Sequence, residues 1–423
     1  MTTPLKQAQT PGGRVLLILL LAYIFNFIDR QIIGVLAVPI KTEFQLDDES
    51  LSYLGIAFAF FYSALAIPIS WLADRRSRVN IIAISVALWS GFTAVCGLAQ
   101  NFTSLVFARM GVAVGEAGGI APAYALISDF FPRERRARAM ALFSLGIPIG
   151  SALGIFFGGW ITTALDWRSA FLIVGLAGIP AALLVKFGIR EPIRGGFDSA
   201  DGQASDPAPP FLTVARRLAA TPSFWLLSFG AASGSILGYG LIFWLPSFFN
   251  RTFGLELFDL SLFYGTIVLV GGVAGTWLGG WIGDKTGPTN PRAYALIPAA
   301  CFTIAAPCFA FGLFAESLVV AWILFAVGQM LALAWLGPVI SAVQHIVPPN
   351  MRATSSASFL FINNLIGIGF GTWFLGFMSV RMTEAHGVNS LQYSILYGLG
   401  FYLLSSAIYA VAASRLNKDW YRG

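Results

Sequence analysis

Apolar residues run through this chain in twelve long blocks, at about 14–40, 51–73, 79–100, 103–129, 138–163 and 167–188, then 222–250, 259–283, 292–315, 317–347, 351–381 and 390–414. A bilayer core needs roughly 20 apolar residues of helix, and each block supplies that. Barrel strands would give short alternating segments instead. The pattern therefore predicts an all-α polytopic membrane protein with 12 transmembrane helices. One long polar stretch interrupts it, residues 189–221, rich in Pro, Gly, Ser and Asp. It reads as a cytoplasmic linker between an N-terminal six-helix bundle, 1–188, and a C-terminal one, 222–423. Within it Phe211 to Ala220 suits a short interfacial helix, and Thr221-Pro222 suits the cap and first position of the seventh span.

The halves repeat. Ser70-Trp71-Leu72-Ala73-Asp74-Arg75 after the second span matches Gly280-Trp281-Ile282-Gly283-Asp284-Lys285 after the eighth, residue by residue. PRERRA, from Pro132, matches PPNMRA, from Pro348, at nearly the same offset. Two pseudo-symmetric bundles explain both, as in transporters that rock one bundle against the other.

Charge sets the orientation. The chain is 57% hydrophobic and 11% charged with a net charge of +6, and its Lys and Arg gather in alternate short loops. Arg75, Arg76 and Arg78, then Arg133, Arg135, Arg136 and Arg138, and the linker arginines all fall on one side. The positive-inside rule places that side, and both termini, in the cytoplasm. The first outer loop is acidic, with Glu43, Asp47, Asp48 and Glu49. The short loops lean towards a bacterial inner membrane. The positive balance is topological and does not imply nucleic acid. Cys96, Cys301 and Cys308 fall in apolar blocks and read as buried hydrophobes. No His, Cys or carboxylate cluster has metal spacing and no phosphate-binding loop is present, so no cofactor or metal is expected. Catalytic residues in a plausible cluster are wanting too, and an enzyme is not expected.

Four ionisable residues break the apolar pattern. Asp29 and Arg30 lie mid-way along the first span, and Arg109 and Glu116 lie in the fourth. An ionised group at that depth costs from ~3 to more than 10 kcal/mol without a partner. Arg109 and Glu116 are seven apart, nearly two helical turns, and share a face. Asp29 and Arg30 are about 100° apart around their helix and point differently. Charge balance suggests two cross-helix pairs, Asp29 with Arg109 and Arg30 with Glu116, with Asn26 one turn away as a hydrogen-bonding neighbour. Asp29 or Glu116 would carry a proton, and Arg30 and Arg109 would hold an anionic group. A fixed structural ion pair is the competing reading.

The second half has no clearly mid-membrane charge. Its candidate contacts are Tyr239, Trp244, Gln329, Trp335, Asn363 and Asn364. A charged wall facing an apolar, aromatic one suits an amphiphile better than a sugar, although such aromatics also serve as ordinary packing. The loop residues Asp74, Arg75, Arg78, Asp129, Arg136, Asp284 and Lys285 form a candidate conformational latch, in which an acid caps a helix N-terminus and pairs with Arg. Gly146, Gly150, Gly154 and Gly158 make a small-residue stripe in the fifth span, for which close packing is explanation enough.

SWLADRRSR resembles the signature loop between spans two and three of the major facilitator superfamily, and GGWIGDKTG resembles its second-half copy. The run from Arg109 to Gly119 resembles the superfamily's fourth-span motif. NFIDRQIIGVLAVPIK, the GEAGG stretch and GIPIGSALG together are most similar to the spinster family of lipid-type transporters. An Asp-Arg first span with a GEA fourth span also occurs in anion:cation symporters. The spinster resemblance implies the major facilitator fold, substrate binding between the halves, and roles for the acid–Arg pair and fourth-span Glu in transport and proton coupling. The expected activity is proton-coupled transport of a lysophospholipid, sphingolipid-like or other amphiphilic substrate by a monomer in contact with membrane lipids. A proton:organic-anion symporter and a non-transporting membrane sensor are the alternatives.

Overall fold

The computed structural model describes residues 11–73, 75–192, 209–287, 289–348 and 351–421. Among these there are helices and no strands. Twelve helical stretches are long and apolar enough to cross a membrane: Gly12–Phe44, Asp48–Ala73, Arg78–Cys96, Phe102–Phe130, Arg138–Ala164, Trp167–Gly188, Pro222–Phe253, Leu257–Thr286, Ala293–Leu313, Leu318–His345, Thr354–Arg381 and Thr383–Asp419. They are referred to as the first to twelfth spans. Pro222 opens the seventh span at a first-turn position, where its missing N–H costs nothing. The linker helix covers Phe211–Ala219, and the rest of the linker from 193 to 208 lies outside the described residues.

The chain divides into two compact units. One takes in Met1–Ile33 and Phe60–Ala204, the other Gly34–Ala59 and Ser205–Gly423. The ends of the first and second spans from Gly34 to Ala59 thus group with the C-terminal spans. Local chemistry accounts for this. A methyl on Gly34 would sit 3.0 Å from the Ile242 carbonyl oxygen, so the two backbones nearly touch. Asp48, the first residue of the second span, receives Arg251 in a two-pronged bridge at 2.6 and 2.8 Å, with Lys41 at 2.5 Å and the Ser379 hydroxyl at 2.7 Å. Such forked charge-assisted bonds are the strong ones.

Helices pack within each unit through glycine. In the first unit the fifth span lies on the first: a methyl on Gly150 would come within 2.5 Å of the Ile24 carbonyl oxygen, and one on Gly154 within 2.7 Å of that of Ile28. In the second unit the eleventh span lies on the seventh in the same way, with Gly371 against the Ile236 carbonyl oxygen. Without a hydrophobic drive between helices in lipid, such close approach supplies the van der Waals contact that holds them. The PRERRA and PPNMRA repeat also has a structural counterpart. Arg136 Nε donates to the Ser128 carbonyl at 2.9 Å, and Arg352 Nε donates to the Gln344 carbonyl at 3.1 Å, each eight residues back in the chain.

Candidate functional site

The fourth and tenth spans, read from sequence as continuous, are each broken. The fourth stops at Glu116 and resumes at Ile120. Ala117, Gly118 and Gly119 bridge the gap, with Gly118 N bonding Gly115 O and Gly119 N bonding Glu116 O in tight three-residue turns. Two consecutive glycines are poor helix formers, which permits the break. The tenth stops at Leu333 and resumes at Leu336, around Ala334 and Trp335. Two of the candidate residues, Glu116 and Trp335, therefore stand at the break of their span, one in each unit.

The four mid-span charges of the first unit gather as the charge balance suggested for one pair, and differently for the other. Arg30 Nε donates to Glu116 Oε2 at 2.6 Å, with side-chain exposures of 10% and 0%. The Arg30 guanidinium also lies over the Tyr62 ring, 4.6 Å from its centroid, and 5.4 Å from that of Phe27. Arg109 Nη1 reaches the backbone carbonyl of Asp29 at 3.4 Å, so this contact is made to the main chain. Asn26, Asp29 and Arg109 are each buried. Asn26 Oδ1 and Nδ2, Asp29 Oδ1 and Glu116 Oε1 have no hydrogen-bond partner among the described residues. Buried polar atoms are paired in the great majority of cases. A cluster of so many orphaned ones is a place for protons, water or a polar ligand group. One residue further along the first span, Gln31 Nε2 bonds Ser151 Oγ at 3.2 Å, tying it to the fifth span.

In the second unit, Ser235 Oγ donates to Asn363 Oδ1 at 2.8 Å, Asn363 Nδ2 approaches Asn364 Oδ1 at 3.4 Å, and Tyr239 OH approaches the same oxygen at 3.5 Å. Seventh and eleventh spans thus share a small neutral polar network. Gln329 is buried, and Trp335 packs edge-on to Phe359. The Trp244 ring is fully buried and its indole N–H donates to the Thr372 carbonyl at 2.9 Å, tying the seventh span to the eleventh.

Of the latch residues, Asp74 lies outside the described residues. Arg78 pairs with Asp129, and Arg136 makes the backbone bond described above. Arg75 folds back over Trp71, 3.8 Å from the ring, and Lys285 over Trp281 at 5.2 Å. Asp284 is exposed and makes no ion pair among the described residues. The acid that caps the third span is one the sequence did not single out: Glu191 accepts from Ser77 Oγ at 2.7 Å, Arg78 N at 2.9 Å and Val79 N at 3.0 Å. An anion at a helix N-terminus meets both free N–H groups and the positive end of the dipole. Tyr62 and Ser235 were also missed; each meets its partner, Arg30 or Asn363, from a different span, a tertiary contact with no signal in the sequence.

A bundle of twelve membrane-length helices with buried ionisable side chains, one of them at the break of the fourth span, is what a transporter needs, and comparison with known proteins agrees. The sequence profile of the Major Facilitator Superfamily matches residues 19–372. The chain belongs to that superfamily, and within it to the spinster family. It is 30% identical to a protein of Mycolicibacterium smegmatis described as an MFS-type efflux pump, over 95% of this chain and 92% of that one. It is 29% identical to human protein spinster homolog 1, over 88% of this chain and 74% of that one. A crystal structure of a bacterial homolog of the human lysosomal transporter spinster, inward-facing and unoccupied, is similar at a TM-score of 0.86 and 32% identity, covering 97% of this chain and 98% of the other. A second structure so described, inward-facing and occupied, gives 0.83 and 31%.

Proposed function

We propose that this transporter moves an amphiphilic, lipid-like anion, a lysophospholipid or a sphingolipid-like molecule, in exchange for or together with protons. The observation that carries the reading is the Arg30–Glu116 pair at the break of the fourth span, buried beside Asp29 and Arg109. Discontinuous spans with ionisable residues at the break are the usual construction of midplane sites in secondary transporters. Glu116 or Asp29 takes the proton. Arg30 and Arg109 receive an anionic group or, when it is absent, return to Glu116 and to the Asp29 main chain. Protonating Glu116 releases Arg30 from its 2.6 Å bond, which couples proton and anion through one guanidinium. The neutral second-unit network of Ser235, Tyr239 and Asn363, with Trp335, suits the less charged part of the substrate. Substrate binding between the halves with alternating access, a monomeric state, a bacterial inner-membrane location and cytoplasmic termini belong to the same reading; the Lys and Arg bias supports the orientation. The efflux-pump description of the mycobacterial relative favours export as the direction.

The test is proton movement in proteoliposomes, followed with a pH-sensitive dye while a panel of lysolipids and small organic acids is added. Lysolipid is expected to trigger a signal in the wild type that Glu116→Gln abolishes. Response to small carboxylates alone would replace the lipid assignment with an organic-anion symporter. An undiminished signal in both Glu116→Gln and Asp29→Asn would sink the coupling scheme, and a flat response of folded protein to every compound would point to a sensor.

A further inference from the structure

A second polar site stands apart from the mid-span charges, where the linker helix meets the end of the twelfth span. The cavity there has a volume of about 640 Å³, within the ~300–1,000 Å³ of ordinary small-molecule sites. Arg216, Arg217 and Lys418 contribute to its lining, with Thr221, Trp420 and Tyr421. All three cations are solvent-exposed, and among the described residues none forms an ion pair. The one acid in the lining, Asp419, is already engaged: its Oδ2 accepts from Ser223 N at 3.0 Å and caps the seventh span.

The wall is built rather than frayed. Trp420 stacks on His345, 4.9 Å between centroids and 4° between planes, and on Tyr294 at 5.6 Å. Tyr421 N donates to the His345 carbonyl at 2.9 Å, which fixes the chain just past the twelfth span. On the other side Val214 and Leu218 of the linker helix are buried, so its two arginines are held at the cavity. Trp225 marks the depth. Its indole N–H donates to the Ala219 carbonyl at 3.2 Å, its ring is stacked on Phe229, and both are exposed to the surroundings of the bundle. Trp in that position is characteristic of the membrane interface.

We propose that this cavity binds a phosphate group, that of an anionic lipid in the leaflet on the Arg-rich side, with Arg216 and Arg217 as the principal ligands and Lys418 as the third. Guanidinium forks match phosphate oxygens, and interfacial basic clusters select anionic headgroups. The site is independent of the mid-span charges and of the substrate assigned to them.

Native mass spectrometry of the detergent-purified full chain, titrated with phosphatidylglycerol or phosphatidylcholine, reads it directly. Phosphatidylglycerol is expected to remain bound preferentially. Each basic group near an anionic surface is worth about a factor of five in affinity, so Arg216→Gln with Arg217→Gln lowers that binding about 25-fold. Arg14→Gln with Arg135→Gln, the same loss of charge elsewhere, leaves it unchanged. Retention of phosphatidylglycerol under excess inorganic phosphate assigns the site to lipid, and displacement by inorganic phosphate, lost in the same double variant, assigns it to the free ion; both sustain a phosphate site. Equal binding of the two lipids, or undiminished phosphatidylglycerol binding to the Arg216→Gln, Arg217→Gln protein, overturns it.

Discussion

Alanine placed along the fifth-span glycine stripe has a sign that depends on what each new methyl meets. In any helix, Gly→Ala is favourable by about 1 kcal/mol through propensity alone. At Gly150 the methyl would lie 2.5 Å from the Ile24 carbonyl oxygen and 2.8 Å from Phe27 Cβ, roughly 1 Å short of ordinary contact. The obstacle is backbone, so the first span must move. Overpacking costs about 1–3 kcal/mol, and a backbone obstacle belongs at the top of that range, leaving a net loss of about 2 kcal/mol after the propensity gain. Gly154→Ala meets the Ile28 carbonyl oxygen at 2.7 Å and should behave alike. At Gly158 the nearest atom is Ile32 Cγ1 at 3.0 Å, part of a side chain that can turn, so propensity wins and the change is neutral or stabilising. Cys96 and Cys301 are free and buried, so thermal unfolding in detergent can be followed with a thiol-reactive dye. Gly158→Ala matching Gly150→Ala in its loss of thermal stability would refute the argument that backbone contact decides the outcome. The displaced segment carries Asn26, so Gly150→Ala should also depress substrate-driven proton signals more than Gly158→Ala does.

Three further outcomes are expected. Asp48→Ala removes a two-pronged bridge and two more bonds and should lower stability by about 2 kcal/mol, whereas Lys41→Ala, which leaves Arg251 in place, should cost well under half of that in the same thermal assay. Glu191→Ala exposes the N–H groups of Arg78 and Val79 and should cost about 1 kcal/mol, with faster amide exchange confined to the first turn of the third span. At the start of the sixth span, the backbone N–H of Ser169 donates to the Asp166 carboxylate at 2.6 Å and holds its pKa below the ordinary value. A depressed carboxyl contributes its stability above the unfolded value of about 4 and loses it as pH falls through the folded one. The wild type's thermal advantage over Asp166→Asn should therefore be constant from neutral pH down to about pH 5 and vanish under stronger acid.

Hydropathy and charge carried the twelve spans and half of the charge pairing. The Arg30–Glu116 bond was legible because two acids and two bases in two spans leave few ways to cancel. That Arg109 turns to the Asp29 main chain was not, since Asp29 and Arg30 diverge around one helix and pattern alone does not say which faces where. The break at Glu116 is written in Gly118-Gly119, yet the same glycines also read as close packing. Glu191 was missed because it sits in a polar linker whose fold-back onto the third span is a tertiary fact. The Trp244 bond to the Thr372 backbone was not legible either, because an aromatic on a membrane helix has the same sequence signal whatever it faces. The eighth span shows a stripe as regular as the fifth, Gly271, Gly275 and Gly279, packed on tenth-span carbonyl oxygens, and only the fifth was singled out.

The balance of the mid-span cluster has an electrical consequence. With both acids ionised, Asp29, Arg30, Arg109 and Glu116 sum to zero, and a membrane voltage does no net work on carrying them through any part of the field. One added proton makes the sum +1, and 100 mV across the whole field then contributes about 2.3 kcal/mol. If, as proposed, the proton rides on Asp29 or Glu116 and the anion comes and goes separately, voltage acts on the two singly loaded forms, the protonated empty carrier at +1 and the unprotonated anion-loaded carrier at −1. An anion of single charge bound alongside the proton restores neutrality, so the fully loaded carrier moves indifferent to the potential, and current–voltage records can count the charge on the substrate without knowing its name.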